Sequence, residues 1–407
     1  MQQSLDKFLT KSVDELINLC EITLKDVIRM LRDGTFDKYF DRKRIIKYLW
    51  YIGENIKKYS RREYCPRCGS SKVKMVPNYE GAKPYFECRV CRKRFVHRPL
   101  VQTHFSDWVI EELVEGVYSG KPMKKIIRDI ERHADEDLKD KIPDEKTLYD
   151  LLDRVAAFLS DFDIFLVLLC GGLKSNRLMF DDAFSRRRGH RKRCKQKSIG
   201  GNIVVSRGKS RRRKFKRYYY TIVVLDPDLR CIVAGHASDK RDRIAFSIAF
   251  MMAREKMSRL PLLVKGDKLR AMVEAAEEWF PKNQVKHEFE KLSKYEKKEL
   301  NKIENRIRKL RETIGKRRKY GSLNVLRNYL TIAIIGTNYL ERIKILGNRA
   351  PMEVVGVPYP KPNRWGWRYF LQYARIVRIM LPYILKASLK TIPGTMLKPI
   401  LPEKFIQ

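Results

Sequence analysis

Apolar residues recur at helical spacing along the first sixty positions, as in Leu16, Ile17 and Cys20, then Val27, Ile28 and Leu31. A second stretch runs through Ile45, Ile46, Leu49 and Ile52, with Asp41 placed to cap it. The spacing predicts helices over residues 12–60. Further on, Ser106 is placed to cap a helix carrying Trp108, Val109, Leu113 and Val117. A turn at Ser119-Gly120 follows, then a helix from Met123 to Arg132. A third begins near Asp144 and carries Leu148, Leu151, Leu152 and Val155. Three short helices in this order predict a helix-turn-helix unit, with Lys146, Thr147 and Arg154 on or near the exposed face of the last. A plain three-helix bundle fits the same pattern.

The period then changes. Leu178-Met179-Phe180 reads as a short buried strand ending at Asp181-Asp182. Tyr218 to Leu225 and Arg230 to Gly235 read as two more, joined by the turn Asp226-Pro227-Asp228. A helix over Arg243 to Met257 is followed by a fourth strand, Leu260 to Val264, that ends at Gly266-Asp267. Leu269 to Trp279 is helical, Val285 to Phe289 is a short fifth strand, and Ser293 opens a long charged helix containing Glu304. This order predicts a mixed α/β sheet of five strands with helices. Near the C-terminus, Trp365, Trp367, Tyr369 and Phe370, followed by Ile376, Ile379 and Leu381, point to packing or a partner surface. The expected division is a helical region 1–60, a metal ribbon 61–100, a helix-turn-helix domain 101–162, an α/β domain 163–345 and a helical region 346–407.

Residues 61–100 carry the sharpest motif. Cys65-Pro-Arg-Cys68 is followed, after 19 residues, by Cys88-Arg-Val-Cys91. Two Cys-x-x-Cys turns supply four thiolates, enough to close a tetrahedral shell, so the spacing predicts a structural Zn²⁺. A redox Cys-x-x-Cys would not need the second pair.

Charge narrows the partner. Of 407 residues, 88 are Lys or Arg and 48 Asp or Glu, a formal net charge of +40. A chain so basic needs a polyanion, with nucleic acid first and an anionic membrane surface second. The longest apolar run, Ile164 to Leu173, is about half the roughly 20 residues of a spanning helix. No basic start followed by an apolar block opens the chain, so the expected location is intracellular, in the cytoplasm on the nucleoid, with cysteines reduced or metal-bound. Ser185 to Arg217 holds 16 Lys and Arg and no acid. Arg186, Arg187, Arg188, Arg191, Lys192, Arg193, Arg211, Arg212, Arg213 and Lys214 dominate it, and it is expected to grip phosphates without sequence preference.

Asp181 and Asp267 end the first and fourth predicted strands, which can be neighbours in such a sheet. Glu304 lies on the following helix. Three clustered carboxylates repel one another without a cation, and oxygen ligands favour Mg²⁺ or Mn²⁺. Two such ions can activate water or a 3′-hydroxyl and stabilise the oxygen that leaves a phosphodiester. His190, His236 and His287 lie near this region, and His287 is placed to approach the ions, although an ordinary packed histidine fits as well.

The ordered set resembles the DDE transposases of bacterial and archaeal insertion sequences. Phe180-Asp181-Asp182-Ala183-Phe184 stands where that family has an Asp-Glu-Thr-like motif, and Val264-Lys265-Gly266-Asp267-Lys268 matches the second acid. Asn301-Lys302-Ile303-Glu304 matches its Asn-x-x-Glu, with Arg311 as the basic residue seven positions on. Glu304, Arg308 and Arg311 then share a helix face. Asp-Asp-Ala in place of Asp-Glu-Thr makes Asp182 a rival to Asp181, while Glu299 and Glu312 rival Glu304. The resemblance covers roughly residues 60–350 and implies a ribonuclease H-like core with Asp181, Asp267 and Glu304 holding two Mg²⁺ or Mn²⁺. It also implies strand cleavage and 3′-hydroxyl transfer on double-stranded DNA, recognition of terminal inverted repeats, and at least a homodimer. An inactive DNA-binding regulator or a structure-specific nuclease on the same fold are the alternatives.

Overall fold

The computed structural model describes residues 22–59, 63–76, 85–96, 99–103, 105–134, 142–187, 218–290, 306, 308, 310, 312–314, 319–360 and 366–390. Four helices open it: α1 (Leu24–Arg32), α2 (Phe36–Tyr39), α3 (Arg42–Glu54) and α4 (Ile56–Tyr59). Thr23 and Asp26 cap α1 reciprocally, and Asp41 caps α3 by accepting from the Arg44 N–H at 3.2 Å. The expected helical residues Leu16, Ile17 and Cys20 lie outside the described ones.

Three short strands follow, β1 (Val73–Val76), β2 (Tyr85–Cys88) and β3 (Arg94–Val96), forming one antiparallel sheet in that order. Then come α5 (Asp107–Tyr118), α6 (Met123–His133) and α7 (Glu145–Leu169). The start of α7 is capped as the sequence predicts, with Asp144 accepting from the Thr147 N–H at 2.7 Å. Ser106 stands at the N-cap of α5 but makes no side-chain cap bond. The third helix is not short. Its 25 residues run through position 162, where a domain border was expected, because its apolar face continues through Phe165, Leu166 and Leu169. The run from Ile164 is therefore largely the buried end of α7, and among the described residues no helix is long and apolar enough to cross a membrane.

The second sheet is mixed. Its strands are β4 (Arg177–Arg187), β5 (Tyr218–Asp226), β6 (Cys231–Ser238), β7 (Leu263–Asp267) and β8 (Lys286–Glu290), in the order β6-β5-β4-β7-β8. A two-residue strand, β9 (Lys319–Tyr320), also pairs with β4. Helices α8 (Arg243–Lys256) and α9 (Arg270–Trp279) join the later strands. The β5–β6 turn is fastened by Asp226, whose Oδ1 accepts from the N–H groups of Asp228 and Leu229, both at 2.8 Å. Three expected boundaries move by three residues or more. The first strand continues past the acids to Arg187, the third runs on to Ser238 rather than Gly235, and the fourth starts at Leu263 rather than Leu260. The described part of the long charged helix is residues 306, 308, 310 and 312–314.

The core is layered. Phe180 on β4 meets Phe250 of α8 at a ring separation of 4.2 Å and Phe280 after α9 at 5.8 Å, which defines one face of the sheet. Helix α10 (Leu323–Tyr339) covers β6 on the other face, and a Cβ on Gly235 would lie 2.7 Å from Ile334 Cδ1. Buried Asn338 closes the β6 edge by accepting from the Ile232 N–H (2.9 Å) and donating to its carbonyl (2.8 Å). At the junction of α7, α8 and α10, buried Asp163 takes Lys256 Nζ at 2.5 Å and the Tyr339 hydroxyl at 2.8 Å. Beyond the short α11 (Pro351–Val355), α12 (Gly366–Ala387) packs back on α3, α4 and α5. Its buried Arg375 holds Glu63 at 2.7 Å, and its Tyr383 hydroxyl donates to the Pro66 carbonyl at 2.8 Å. Trp367, Phe370, Ile376, Ile379 and Leu381 are buried here, so this segment packs within the chain.

Candidate functional site

Two constellations stand out. In the first, Cys65 and Cys68 come from the turn before β1, and Cys88 and Cys91 from the end of β2 and its turn. All four Sγ atoms lie within 4.8 Å of one another, with Cys65 to Cys91 at 3.4 Å and Cys68 to Cys88 at 3.5 Å. Those separations exceed a disulfide bond of about 2.05 Å. They fall a little short of the edge of about 3.8 Å in a tetrahedron with metal–sulfur bonds of about 2.3 Å, and the 4.8 Å limit on all six separations lies above it. The N–H groups of Arg67 and Val90 donate to Cys65 Sγ and Cys88 Sγ, each at 3.4 Å, as suits thiolates. Burial pushes up the thiols of Cys65 and Cys68. At Cys88 burial is outweighed by the backbone N–H groups of Cys91 and Val90, which bring it down to about 7. The cluster can bind a metal such as zinc, and four protein ligands leave no position for a substrate.

The second constellation lies on the mixed sheet. Strands β4 and β7 run parallel and pair from Arg177↔Leu263 to Phe180↔Gly266. One step beyond the last registered pair stand Asp181 and Asp267, so two acids 86 positions apart in sequence follow the end of the same pairing. Side chains alternate along a strand. Phe180 and Gly266 face α8 and α9, and a Cβ on Gly266 would meet Met272, Phe289 and Phe180. Asp181 and Asp267 therefore share the opposite face. Asp267 is exposed and Asp181 half-buried. Asp181 Oδ1 accepts from the Asp182 N–H at 2.7 Å. Asp182 belongs to the Phe180 face, where Arg241 takes its carboxylate, Nε to Oδ2 at 2.6 Å and Nη2 to Oδ1 at 2.8 Å. A recess of about 270 Å³ near the starts of β4 and β7 is lined by Arg177, Met179, Leu263, Lys265, Glu288 and Ile345, among others, and by neither acid.

The third acid is less defined. Glu304, its rival Glu299 and their companions Asn301 and Arg311 lie outside the described residues. Glu312 is exposed, 4.0 Å from Arg308. On β8 the register sets Glu290 opposite Asp267, a position that a reading without strand register passes over. His287, expected either near the ions or as a packed side chain, takes the second place. It pairs with Val264 in register, on the helix-covered face, where Nε2 lies 2.6 Å from the Phe280 carbonyl. It therefore faces away from the acids as a packed histidine. His236 is neutral at pH 7, because burial and Arg327 lower it to about 4.

Of the basic segment, Arg186 and Arg187 pair through their backbones with β9, while Arg188, His190, Arg191, Lys192, Arg193, Arg211, Arg212, Arg213 and Lys214 lie outside the described residues. Exposed Lys146 and Arg154 sit on α7 as expected, and α6 adds an exposed row the sequence reading missed: Lys124, Lys125, Arg128 and Arg132. No known family profile matches this chain, and no curated protein is detectably similar to it.

Proposed function

We propose that this chain is a DNA transposase of the DDE class, which cleaves a DNA strand and joins the freed 3′-hydroxyl to target DNA. The observation that carries the reading is the acid pair: Asp181 and Asp267 stand on parallel neighbours, on one face, where the β4–β7 pairing ends. Functional groups collect where parallel strands end, as β7 does at Asp267. The strand order agrees with the ribonuclease H-like core implied by the sequence resemblance. An oxygen-only donor pair suits Mg²⁺ or Mn²⁺ rather than a soft metal. Asp181 and Asp267 would hold that ion with Glu304, for which Glu290 is the alternative by register. When bound, it supplies positive charge at the attacking and leaving oxygens of the phosphodiester.

The remaining parts fit a DNA-end complex. The four cysteines would hold a structural Zn²⁺. Helices α5, α6 and the start of α7 would act as the helix-turn-helix that reads terminal inverted repeats, and the rows on α6 and in 185–217 would grip phosphates. Two ends must be brought together, which calls for at least a homodimer.

The test uses purified full-length protein and duplex DNA taken from the two flanks of the gene, where terminal inverted repeats are expected. Mg²⁺-dependent cleavage and joining are expected, and Asp267→Ala should lose both while keeping DNA binding. Cleavage without joining would instead identify a nuclease, and binding alone a regulator. Wild-type activity in Asp267→Ala would sink the site assignment.

A further inference from the structure

We propose that Arg241 and Asp182 form a positioning pair that fixes the Asp181 carboxylate for cation binding; the proposal rests on the acid pair being a cation site. The pairing of β4 with β7 stops at Phe180, and β9 joins β4 only at Arg186. Asp181 thus sits where β4 parts from one neighbour. On the opposite face of the sheet the Arg241–Asp182 contact begins at that same step. It combines one hydrogen bond, Nη2 to Oδ1 at 2.8 Å, with a close ion contact, Nε to Oδ2 at 2.6 Å, and the Asp182 side chain is only 8% exposed. A charge-assisted hydrogen bond backed by a second close contact of the same guanidinium holds the carboxylate in place.

Arg241 is itself anchored. It directly precedes Asp242, whose side chain caps α8 by accepting from the Ala245 N–H at 3.1 Å. The pair therefore ties β4 to the start of α8 at the Asp181–Asp182 peptide. The N–H of that peptide donates to Asp181 Oδ1 at 2.7 Å, which sets the plane of that carboxylate. A buried ion pair adds little net stability over well-packed apolar groups of the same volume. A carboxylate that must be held still beside a second one gains more from it. Partners of metal ligands commonly tune affinity in this way.

The test measures Mn²⁺ binding to the full-length protein, with and without duplex DNA, from the electron paramagnetic resonance of the free ion. Wild type is compared with Asp181→Asn, Asp182→Asn, Arg241→Gln and Arg241→Lys, and melting temperature, DNA affinity and cleavage are measured beside it. Asp181→Asn should abolish the binding. Asp182→Asn and Arg241→Gln should weaken it about tenfold, with DNA affinity nearly unchanged and cleavage recovering at high Mn²⁺. Arg241→Lys should recover part of the affinity, and it carries the test if a harsher variant fails to fold. If melting temperature falls while Mn²⁺ affinity and cleavage per folded molecule hold, the pair is only a strut and the proposal fails. If Mn²⁺ binding survives Asp181→Asn, the cation-site reading fails and takes the positioning role with it.

Discussion

One methyl group at Gly266 perturbs the packing and the acid pair together. A Cβ there would lie 2.8 Å from Met272 Sδ, 3.2 Å from Phe289 Cε1 and 3.4 Å from Phe180 Cβ. Comfortable carbon contacts are about 3.5–4.0 Å. The Met272 thioether can swing aside, but Phe180 and Phe289 are stacked rings on β4 and β8, their centroids 6.3 Å apart. The methyl must therefore press β7 away from its neighbours. Overpacking of this kind costs about 1–3 kcal/mol, and the yielding thioether puts Gly266→Ala near the lower half of that range. Catalysis should suffer more than stability. Asp267 is the next residue, and a misplacement of about 1 Å can cost on the order of a hundredfold in rate. The assay pairs urea unfolding with single-turnover DNA cleavage in Mg²⁺. Gly321→Ala is the control, because nothing lies within 4 Å of a Cβ added there. A Gly266→Ala protein that unfolds and cleaves like wild type would refute the claim that this glycine sets the β4–β7 approach.

Three more outcomes are expected. The purified protein should carry about one zinc per chain by elemental analysis, and Cys88→Ser should lose it together with protease resistance of the cysteine-bearing sheet. Among the described residues that sheet's own buried cluster is just Cys65, Cys88 and Phe95, so its fold should depend on the metal; a resistant zinc-free protein would contradict this. Lys256→Met should cost about 3–5 kcal/mol in urea unfolding by stranding buried Asp163. Adding Asp163→Asn, which keeps a partner for Tyr339, should regain most of that, and a double variant no better than the single would count against the triad. Burial holds the Glu111 carboxyl up at about 7 against Arg368 and Gln372. A raised folded value means a contribution fully present below the ordinary 4.5 and lost as pH rises through about 7. Glu111→Gln should therefore gain on wild type by up to about 3 kcal/mol at pH 8 but not near pH 4.5, and a pH-independent difference would overturn the assignment.

Local chemistry was legible in the sequence and long-range partnership was not. Asp41 and Asp144 cap helices because a cap needs only its own next turn, and both were readable as such. The Cys-x-x-Cys pairs announced their cluster for the same reason, each pair fixing its own turn. The strand through the acids ran longer than its apolar stretch, since partners far along the chain, β5 and β9, continue the ladder to Arg186 and Arg187. The fourth strand began later than its apolar run. Its register with β4 starts at Leu263, while Pro261 has no N–H to give and the Leu262 N–H goes to the Asn176 carbonyl at 2.7 Å. The length of α7 was visible in its period. The change of composition after residue 160 obscured that one helix serves both neighbours.

The rivalry of Asp181 and Asp182 shows what a sheet adds to a motif. Written as a string, the two acids are adjacent and equivalent, and only the offset from a family pattern separates them. On a strand they differ in parity, and parity has consequences of opposite kind. Asp182 shares the Phe180 face, where helices exclude water, and a buried carboxylate there needs a cation of its own, which Arg241 provides. Asp181 shares parity with Asp267, across a strand pair that has just ended, on the face away from α8 and α9. The same rule bears on the third acid. A helix such as the one expected around Glu304 must be brought to the site by tertiary packing, which no spacing in the sequence encodes. Glu290 is brought beside Asp267 by the ladder itself. Glu290→Gln and Glu304→Gln, compared for Mn²⁺ affinity, set the two routes against each other. Loss in the second alone would assign the third ligand to the helix, and loss in the first alone would assign it to the sheet.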